Sequence, residues 1–321
     1  MERLAMNTAF FPKVSIIIPV YNGANYMREA IDSALAQTYT NIEVVVVNDG
    51  SRDDGATREV ALSYGDRIRY IEKENGGVSS ALNRGIREMT GEYFSWLSHD
   101  DRYEPDKIAR QVSHLAEIED RDKLIAMCGG FYLDKDSKRL RDMDFHFKSG
   151  AVNTGMEVLD YLLTHGVLDM CCLLIPRETF EDCAYFHEDL RYNQDALILY
   201  QIFSRGYRMV TFTEERDVAY RLHVAQTSKT RRDLLIRDSN EAAKIIAPTF
   251  AALDTPENKL LRRYAKRHAR QACREAVRTC VRVGRETGVL HALDLLYVRT
   301  WQMIGYGRNF LKKIYHLLRF K

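Results

Sequence analysis

Short runs of β-branched and aliphatic residues alternate with amphipathic segments over the first hundred residues. Two of these runs, Val14–Val20 and Ile42–Val47, have the composition of strands that are buried on both faces, and Ile68–Ile71 is predicted as a third strand. A fourth run, Tyr93–Leu97, ends at a polar cluster. Apolar positions between the runs recur at helical spacing, as in Val78–Met89. The alternation predicts an α/β fold, with a mostly parallel Rossmann-like sheet flanked by helices.

Beyond about residue 105 the alternation loosens, and residues 134–153 are polar and irregular. The elements predicted there are a strand at Leu124–Phe131, a helix near 155–165, a strand at 170–175, a helix at Gln194–Ser204 and extended segments at Met209–Phe212 and Val218–Leu222. From about Thr230 onward only helical spacing recurs. We therefore predict an α/β domain over 1–229 and a basic helical extension over 230–321.

The charge of the chain is concentrated at its C-terminal end. The formal net charge is only +2, yet residues 257–321 carry 16 Lys and Arg against four Asp and Glu. Such a tail indicates an anionic partner, or simply a solvated helix face. An apolar stripe lies beside basic residues near the C-terminal end and is formed by Phe310, Leu311, Ile314, Leu317 and Leu318. Such a stripe could lie in an anionic membrane surface, pack on the protein itself or pack on a second subunit, and the sequence favours none of these over the others. No recognised module indicates nucleic-acid binding.

The cysteines and the hydropathy pattern bear on where the protein works. The six cysteines form no C-x-x-C pair and no metal-ligand spacing, which favours reduced thiols in the core. No run of about 18 uncharged apolar residues occurs, and no apolar signal-peptide core precedes Pro12. We expect a cytoplasmic protein, with peripheral attachment to the inner face of the membrane if the tail binds lipid.

Three loops that follow predicted strands carry distinctive polar residues. They are Pro19–Asn22, Asp49–Ser51 and Ser98–Asp101. Ligands of open parallel sheets bind at the carboxyl ends of the strands. There one carboxylate can accept hydrogen bonds from a nucleoside, and others can hold a divalent cation against a diphosphate. Each loop alone is also typical of a turn or a helix cap, but three at one sheet edge predict a site. The chain has no G-x-x-x-x-G-K-[ST] loop and no H-E-x-x-H motif.

A series of distinct short motifs follows in a fixed order between residues 13 and 228. The motifs are Val14–Asn22, Ala34–Tyr39, Ile42–Ser51, Glu74–Gly77, Ala81–Gly85, Gly91–Tyr93, Trp96–Asp101 with Pro105, Asn193–Asp195, Arg205–Arg208, and Tyr220–His223 with Gln226–Ser228. Together they resemble the family-2 glycosyltransferases. The resemblance implies a GT-A fold, a nucleotide-sugar donor and a divalent metal, Mn²⁺ or Mg²⁺.

The resemblance also implies roles for single residues. Pro19, Tyr21 and Asn22 would line the nucleoside pocket, and Gly76, Gly77 and Asn83 would complete the donor wall. Asp49 would accept a hydrogen bond from the base. Asp100, at the second aspartate of the family's D-x-D motif, would ligate the metal, whereas Ser98 replaces the first aspartate and predicts weaker metal binding. His223 is a candidate further ligand of the metal or the diphosphate, or an ordinary polar residue.

Asp195 is the candidate general base. A carboxylate beside the acceptor hydroxyl can take its proton as the hydroxyl attacks the anomeric carbon opposite the leaving diphosphate, which inverts the configuration. From the residues alone, a cap of the helix that follows is the better interpretation of Asp195, and it is the resemblance that favours the base. Glu188 and Asp189 are close enough in sequence to be confused with it. Asp101 is expected to cap the helix after it.

The leading hypothesis is therefore a metal-dependent, inverting glycosyltransferase. Its acceptor would be a glycan or a lipid-linked glycan, in surface polysaccharide biosynthesis. A sugar-1-phosphate nucleotidyltransferase is an alternative, although Val20–Asn25 lacks the Gly-rich loop with Arg and Lys that such enzymes need. A second alternative is a non-catalytic nucleotide-sugar-binding module anchored to the membrane by the tail. The oligomeric state stays open.

Overall fold

A computed structural model describes residues 10–166, 168–223 and 233–255, together with 259, 260, 262–264 and 267. The strands are β1 Val14–Val20, β2 Ile42–Asn48, β3 Arg69–Glu72, β4 Tyr93–Trp96, β5 Arg102–Tyr103, β6 Leu124–Leu133, β7 Arg139–Asp142, β8 Ala151–Asn153, β9 Leu173–Pro176 and β10 Arg208–Arg221. The helices are α1 Met27–Leu35, α2 Ala56–Leu62, α3 Val78–Glu88, α4 Lys107–Ala116, α5 Gly155–Thr164, α6 Glu178–Asp182, α7 Gln194–Ser204 and α8 Asp233–Leu253. Short 3₁₀ turns lie at Gly65–Arg67 and Met170–Cys172.

The strands of the described chain form one mixed sheet in the order β3-β2-β1-β4-β9-β6-β10-β5, with β7 paired to β6 and β8 to β10. The first four strands in this order are mutually parallel. Strand β9 runs antiparallel to both of its neighbours, β4 and β6. The predicted α/β fold, with helices flanking a largely parallel sheet, is confirmed.

The core forms where the N-terminal strands meet their helices. All seven residues of β1 are buried, as its continuous apolar sequence requires of a strand covered on both faces. Helix α3 buries Ala81, Leu82 and Ile86 and packs on β1 and β2. A Cβ added at Gly85 would lie 2.4 Å from Ile17 Cγ2. Only glycine at this position therefore allows the helix to approach β1 so closely.

The second half of the domain differs from its prediction in three places. Strand β10 is one 14-residue strand with register shifts between Phe212 and Val218, where two extended segments were predicted. The segment 134–153 contains β7 and β8, although the residues of β7 are all exposed and give no hydrophobic alternation. Residues Met170–Cys172 were predicted as the beginning of a strand, but they form a 3₁₀ turn ahead of β9.

Helix α8 continues the chain beyond the sheet and contains Pro248. By packing, the chain up to Thr249 forms one compact unit, and a second unit begins at Phe250. Among the described residues, no helix is both long and apolar enough to cross a membrane. The apolar stripe around Phe310 lies outside the described residues, so its membrane or subunit contacts stay predictions, as does the functional boundary at residue 229.

Candidate functional site

A cavity of about 1270 Å³ lies where the ends of β1, β2 and β4 meet the loops before β9 and α7. The predicted site residues that line it are Pro19, Tyr21, Asn22, Asp49, Gly77, Ser98, Asp100, Asp195 and His223. Residues from distant parts of the sequence are thus brought to one edge of the sheet, where parallel strands place their ligand sites.

Asp49 holds the turn between β3 and α3. One of its carboxylate oxygens accepts from Lys73 Nζ at 2.7 Å and from the Gly76 N–H at 2.9 Å. The other accepts from the Gly77 N–H at 2.6 Å and from Asn75 Nδ2 at 3.2 Å. Four donors occupy the lone pairs of a carboxylate that is only 2% exposed. A nucleobase would have to displace one of them. In this conformation Asp49 holds the Gly76–Gly77 turn, and its predicted contact with a base stays a prediction.

The Gly76–Gly77 turn lies directly under an arginine. Arg191 Nη1 donates to the Gly76 carbonyl at 2.6 Å. Gly77 has a φ of 89°, and a Cβ there would lie 1.6 Å from Arg191 Nη1. The turn therefore requires glycine both for its backbone angle and for the approach of the guanidinium group. This places a positive charge beside the Gly76–Gly77 turn in the cavity lining.

Asp100 and His223 form a pair in the lining of the cavity. His223 Nε2 lies 2.8 Å from Asp100 Oδ2, and the His223 ring packs against Tyr26 with 5.3 Å between ring centroids. The side chain of Ser98 lies nearby, with its Oγ 3.5 Å from Cys171 Sγ. The structure thus brings together the two residues that were predicted to hold a metal.

The Asp100–His223 pair fits a hard divalent cation that takes part of its ligand shell from the substrate. Among the described residues, no set of three or more His, Cys, Asp or Glu side chains is arranged to hold a metal. Mg²⁺ and Mn²⁺ bind through one or two protein groups when phosphate oxygens and water complete the shell. A carboxylate and an imidazole at the cavity surface are sufficient for that kind of binding.

The residue after Asp100 has a structural role that its sequence did not show. Asp101 does not cap a helix, because α4 begins only at Lys107, and the predicted cap is wrong. Asp101 is 2% exposed, and its Oδ1 accepts from the backbone N–H of Arg221 at 2.8 Å. Burial, together with the charges of Asp100 and Asp169, raises the pKa of Asp101 well above its usual value.

Arg221 ties the Asp100 loop to its surroundings. The side chain is fully buried, and its Nε donates to the Asp100 carbonyl at 2.9 Å. Its Nη2 pairs with Glu29 Oε2 at 2.8 Å, and the guanidinium lies 4.6 Å from the centroid of the Tyr26 ring. A buried arginine of this kind holds the loop in one position, since leaving its partners unpaired would be costly.

Asp195 lies in the first turn of α7, facing the cavity. The helix begins after Asn193, whose φ of 60° is left-handed. The Asp195 carboxylate accepts from the Ala196 N–H at 2.8 Å, so it also satisfies a free N–H of the first helical turn, as the alternative of a helix cap predicts. Burial raises the pKa of Asp195. Neither Glu188 nor Asp189 lines the cavity.

Asn83 does not belong to the donor wall and lies outside the cavity lining. Its amide is 1% exposed and exchanges two hydrogen bonds with the backbone of Phe186, at 2.8 and 2.9 Å. Its Nδ2 also donates to Glu188 Oε1 at 2.8 Å. The predicted donor contact of Asn83 is therefore corrected: the residue fastens the segment before α7 onto α3.

Asp169 is a cavity carboxylate that the sequence analysis missed. It begins the 3₁₀ turn before β9, where its Oδ1 accepts from the Cys171 N–H at 2.9 Å. Burial raises its pKa to about 6, and the charges of Asp195 and Asp100 add to the rise. A single Asp just ahead of the predicted strand at 170–175 was the only available signal. Asp169 lies within electrostatic reach of both predicted functional carboxylates.

Replacing Asp169 by asparagine should stabilise the protein at neutral pH. Because its pKa is raised in the fold, the folded state binds the proton more tightly, and the free energy of unfolding falls as pH rises from about 4 through about 6. We expect Asp169→Asn to raise the unfolding free energy at pH 7 by on the order of 2 kcal/mol, with the difference vanishing toward pH 4. Urea denaturation in EDTA across this range measures it. The exposed Asp136→Asn is the control, and parallel curves for wild type and Asp169→Asn would contradict the assignment.

A mixed sheet with a carboxylate-lined cavity at its parallel edge is the architecture of GT-A glycosyltransferases. Residues 15–183 match the family model described as Glycosyl transferase family 2. The chain belongs to this family.

Relatives and solved structures agree with this assignment. The chain is 48% identical over 225 residues to an uncharacterized glycosyltransferase of Rickettsia prowazekii, covering 69% of this chain and 67% of the relative. A second uncharacterized glycosyltransferase, from Rickettsia felis, is 48% identical over 244 residues, which are 75% of this chain but 38% of the relative. The chain thus spans less than half the length of that protein. The structure of S. aureus TarS 1–349 in complex with UDP-GlcNAc has a TM-score of 0.64 at 18% identity, covering 80% of this chain and 72% of TarS, and shows the GT-A fold.

Proposed function

We propose that this chain is an inverting, metal-dependent glycosyltransferase that moves a sugar from a nucleotide-sugar donor to a hydroxyl of a glycan or lipid-linked acceptor. The observation that carries the proposal is the meeting of the Asp100–His223 pair and Asp195 in one cavity. The Asp100–His223 pair is suited to bind a metal and a diphosphate, and Asp195 is suited to take a proton from the acceptor. Surface polysaccharide biosynthesis is the proposed setting.

The donor side of the cavity is proposed to take a uridine diphosphate sugar. Solved structures of the TarS domain hold UDP and UDP-GlcNAc, and the TarS fold matches this one. Here the donor side is built from the Pro19–Asn22 loop, the turn held by Asp49, and Arg191. Exposed Tyr21, at 43%, offers a ring face for a base, and Arg191 offers charge for phosphate.

Asp195 is proposed to act as the general base. As the acceptor hydroxyl attacks the anomeric carbon, the carboxylate takes its proton. The nucleoside diphosphate leaves from the opposite face of the sugar, which inverts the anomeric configuration. The raised pKa of Asp195 makes it a better proton acceptor than an exposed aspartate. A divalent cation held by Asp100 and His223 would supply positive charge to the leaving diphosphate. Arg221 keeps Asp100 in place while this occurs.

The acceptor is proposed to enter on the side of the cavity lined by Tyr132, Met143, Phe145, Leu168 and Tyr220. Tyr132 and Tyr220 meet edge to face with 5.7 Å between centroids. Aromatic and apolar surface of this kind suits the carbon face of a sugar ring. The charge of Asp169 contributes to the raised pKa of both tyrosines, which indicates that its carboxylate lies close to them. A carboxylate there can bind a further hydroxyl of the acceptor.

A binding panel tests the proposal and its alternatives. Titrating UDP-, GDP-, CDP- and dTDP-sugars with and without Mn²⁺ should show binding of the UDP-sugars, strengthened by the metal. Release of UDP with an inverted product would then exclude a non-catalytic module, whereas formation of a nucleotide-sugar from a sugar 1-phosphate would favour the nucleotidyltransferase. If none of the donors binds in either condition, the proposed donor site is wrong.

A further inference from the structure

The beginning of α8 is packed against the turn that leads to Asp195. This helix lies outside the residues that match the family model, 15–183. Asp238 in its second turn is 0% exposed. Its Oδ2 accepts from the backbone N–H groups of Arg191 and Tyr192 at 2.8 and 2.7 Å, and its Oδ1 accepts from Arg237 Nε at 2.6 Å. One buried carboxylate therefore fixes two consecutive peptide groups.

The next residue of α8 supports a strained part of the same turn. Ser239 Oγ accepts from Asn193 Nδ2 at 2.7 Å. Asn193 has a φ of 60°, a left-handed conformation that costs free energy for residues other than glycine and persists where the surroundings hold it. Asn193 immediately precedes α7, and Asp195 is two residues further on. The backbone angles of Asn193 therefore set the direction in which α7 carries Asp195 into the cavity.

The turn also reaches the donor side. Arg191, whose N–H is bound by Asp238, donates through its side chain to the Gly76 carbonyl. Leu234 and Arg237, on the first turns of α8, line the cavity themselves. The Arg191–Asn193 turn thus links α8 to both halves of the site, the Gly76–Gly77 donor wall and Asp195.

We propose that Asp238 and Ser239 are positioning residues for sugar transfer, which hold the Arg191–Asn193 turn so that Asp195 and the Arg191 guanidinium keep their places in the cavity. This inference rests on the proposed function. The two residues touch neither donor nor acceptor; they act through the turn. The beginning of α8 is accordingly part of the catalytic domain.

Asp238→Asn tests the backbone anchor in the full-length protein. The amide nitrogen cannot accept, so either the two N–H groups or Arg237 loses its partner. With UDP-GlcNAc as donor and water as acceptor, we expect kcat for UDP release to fall about 100-fold, the loss that a small misplacement of a catalytic group causes. The Kd of UDP should rise no more than about fivefold, because the donor wall is also held by Asp49. Hydrogen exchange at the Arg191 and Tyr192 amides should become faster.

The matched control is Asp217→Asn. Asp217 is equally buried, at 1%, and pairs with Arg110 at 2.8 Å, but it lies outside the cavity lining. It should change neither kcat nor exchange at residues 191–192. An active wild type whose Asp238→Asn variant keeps its kcat and its slow exchange would overturn the inference. A wild type that turns over no donor would instead defeat the proposed function, while the exchange measurement still decides whether Asp238 holds the turn.

A second pair of variants covers the case in which Asp238→Asn does not fold. Ser239→Ala removes one hydrogen bond and should lower kcat about fivefold. Glycine adopts the left-handed conformation without support, so in an Asn193→Gly background the same Ser239→Ala change should alter kcat less than about twofold. An equal loss in both backgrounds would show that Ser239 does not act through Asn193 and would overturn its role.

Discussion

Asp195→Asn is expected to lower kcat for sugar transfer by about 1000-fold, in the middle of the range for removal of a general base. Asparagine has the same shape and can keep the local bond to the Ala196 N–H, so α7 should begin unchanged. The Kd of UDP should stay within about threefold of wild type, because Asp195 is not a donor ligand in the proposal. Isothermal titration with UDP and a steady-state assay of UDP release provide the two measurements.

The pH dependence separates this role from a structural one. Burial raises the pKa of Asp195, so activity of the wild type should fall as pH is lowered through that raised value, where the carboxylate takes up a proton and ceases to be a base. The residual activity of Asp195→Asn should lack this acidic limb. Asp189→Asn is the matched control, an exposed neighbour outside the cavity that should behave as wild type. Unchanged transfer by Asp195→Asn would remove Asp195 from the mechanism.

Asp100→Asn is expected to weaken the Mn²⁺-dependent part of UDP binding by about 100-fold, or about 3 kcal/mol. The substitution removes a negatively charged ligand and also the partner of His223 Nε2. In EDTA, wild type and variant should bind UDP equally, because the metal contributes to neither. Titrations with and without Mn²⁺ measure the difference directly.

Two further variants sharpen this test. His223→Gln should weaken UDP binding in Mn²⁺ by less than Asp100→Asn does, since Asp100 remains as a ligand. In EDTA it should not change UDP binding. Asp136→Asn, on an exposed turn away from the cavity, should change neither. If Asp100→Asn loses the same affinity in EDTA as in Mn²⁺, Asp100 binds the donor in some other way and the assigned metal ligand is wrong.

The N-terminal half of the fold could be predicted closely because its signals are local. Strand β1 is a continuous apolar run of seven residues, predicted with the bounds that the structure gives. In the second half of the domain, α7 was likewise predicted with its observed bounds. The signal weakens where burial is not periodic. Strand β7 is exposed along its length, and β10 passes through a polar segment at its register shifts, so hydrophobic patterning described neither correctly.

The site residues likewise divide into those that the sequence predicted and those that it misjudged or missed. Asp100, His223 and Asp195 come from short motifs, and the structure brings them to one cavity. Asn83, Asp101 and Asp169 were misjudged or missed because their surroundings come from distant segments: Phe186 for Asn83, Arg221 for Asp101 and the Cys171 turn for Asp169. Motif spacing carries no information on which buried polar group meets which backbone. The contacts that fix a functional side chain were therefore much less predictable than the side chain itself.

The contact between Asp238 and the Arg191–Tyr192 peptide groups has a consequence for recombining this enzyme with its relatives. A hybrid joined near residue 228, between the turn and α8, would combine the turn of one parent with the helix of another. A parent without a carboxylate at the position of Asp238 would leave two buried N–H groups unpaired. Exchange of donor or acceptor specificity between relatives should therefore carry the chain through Thr249, where the first compact unit ends.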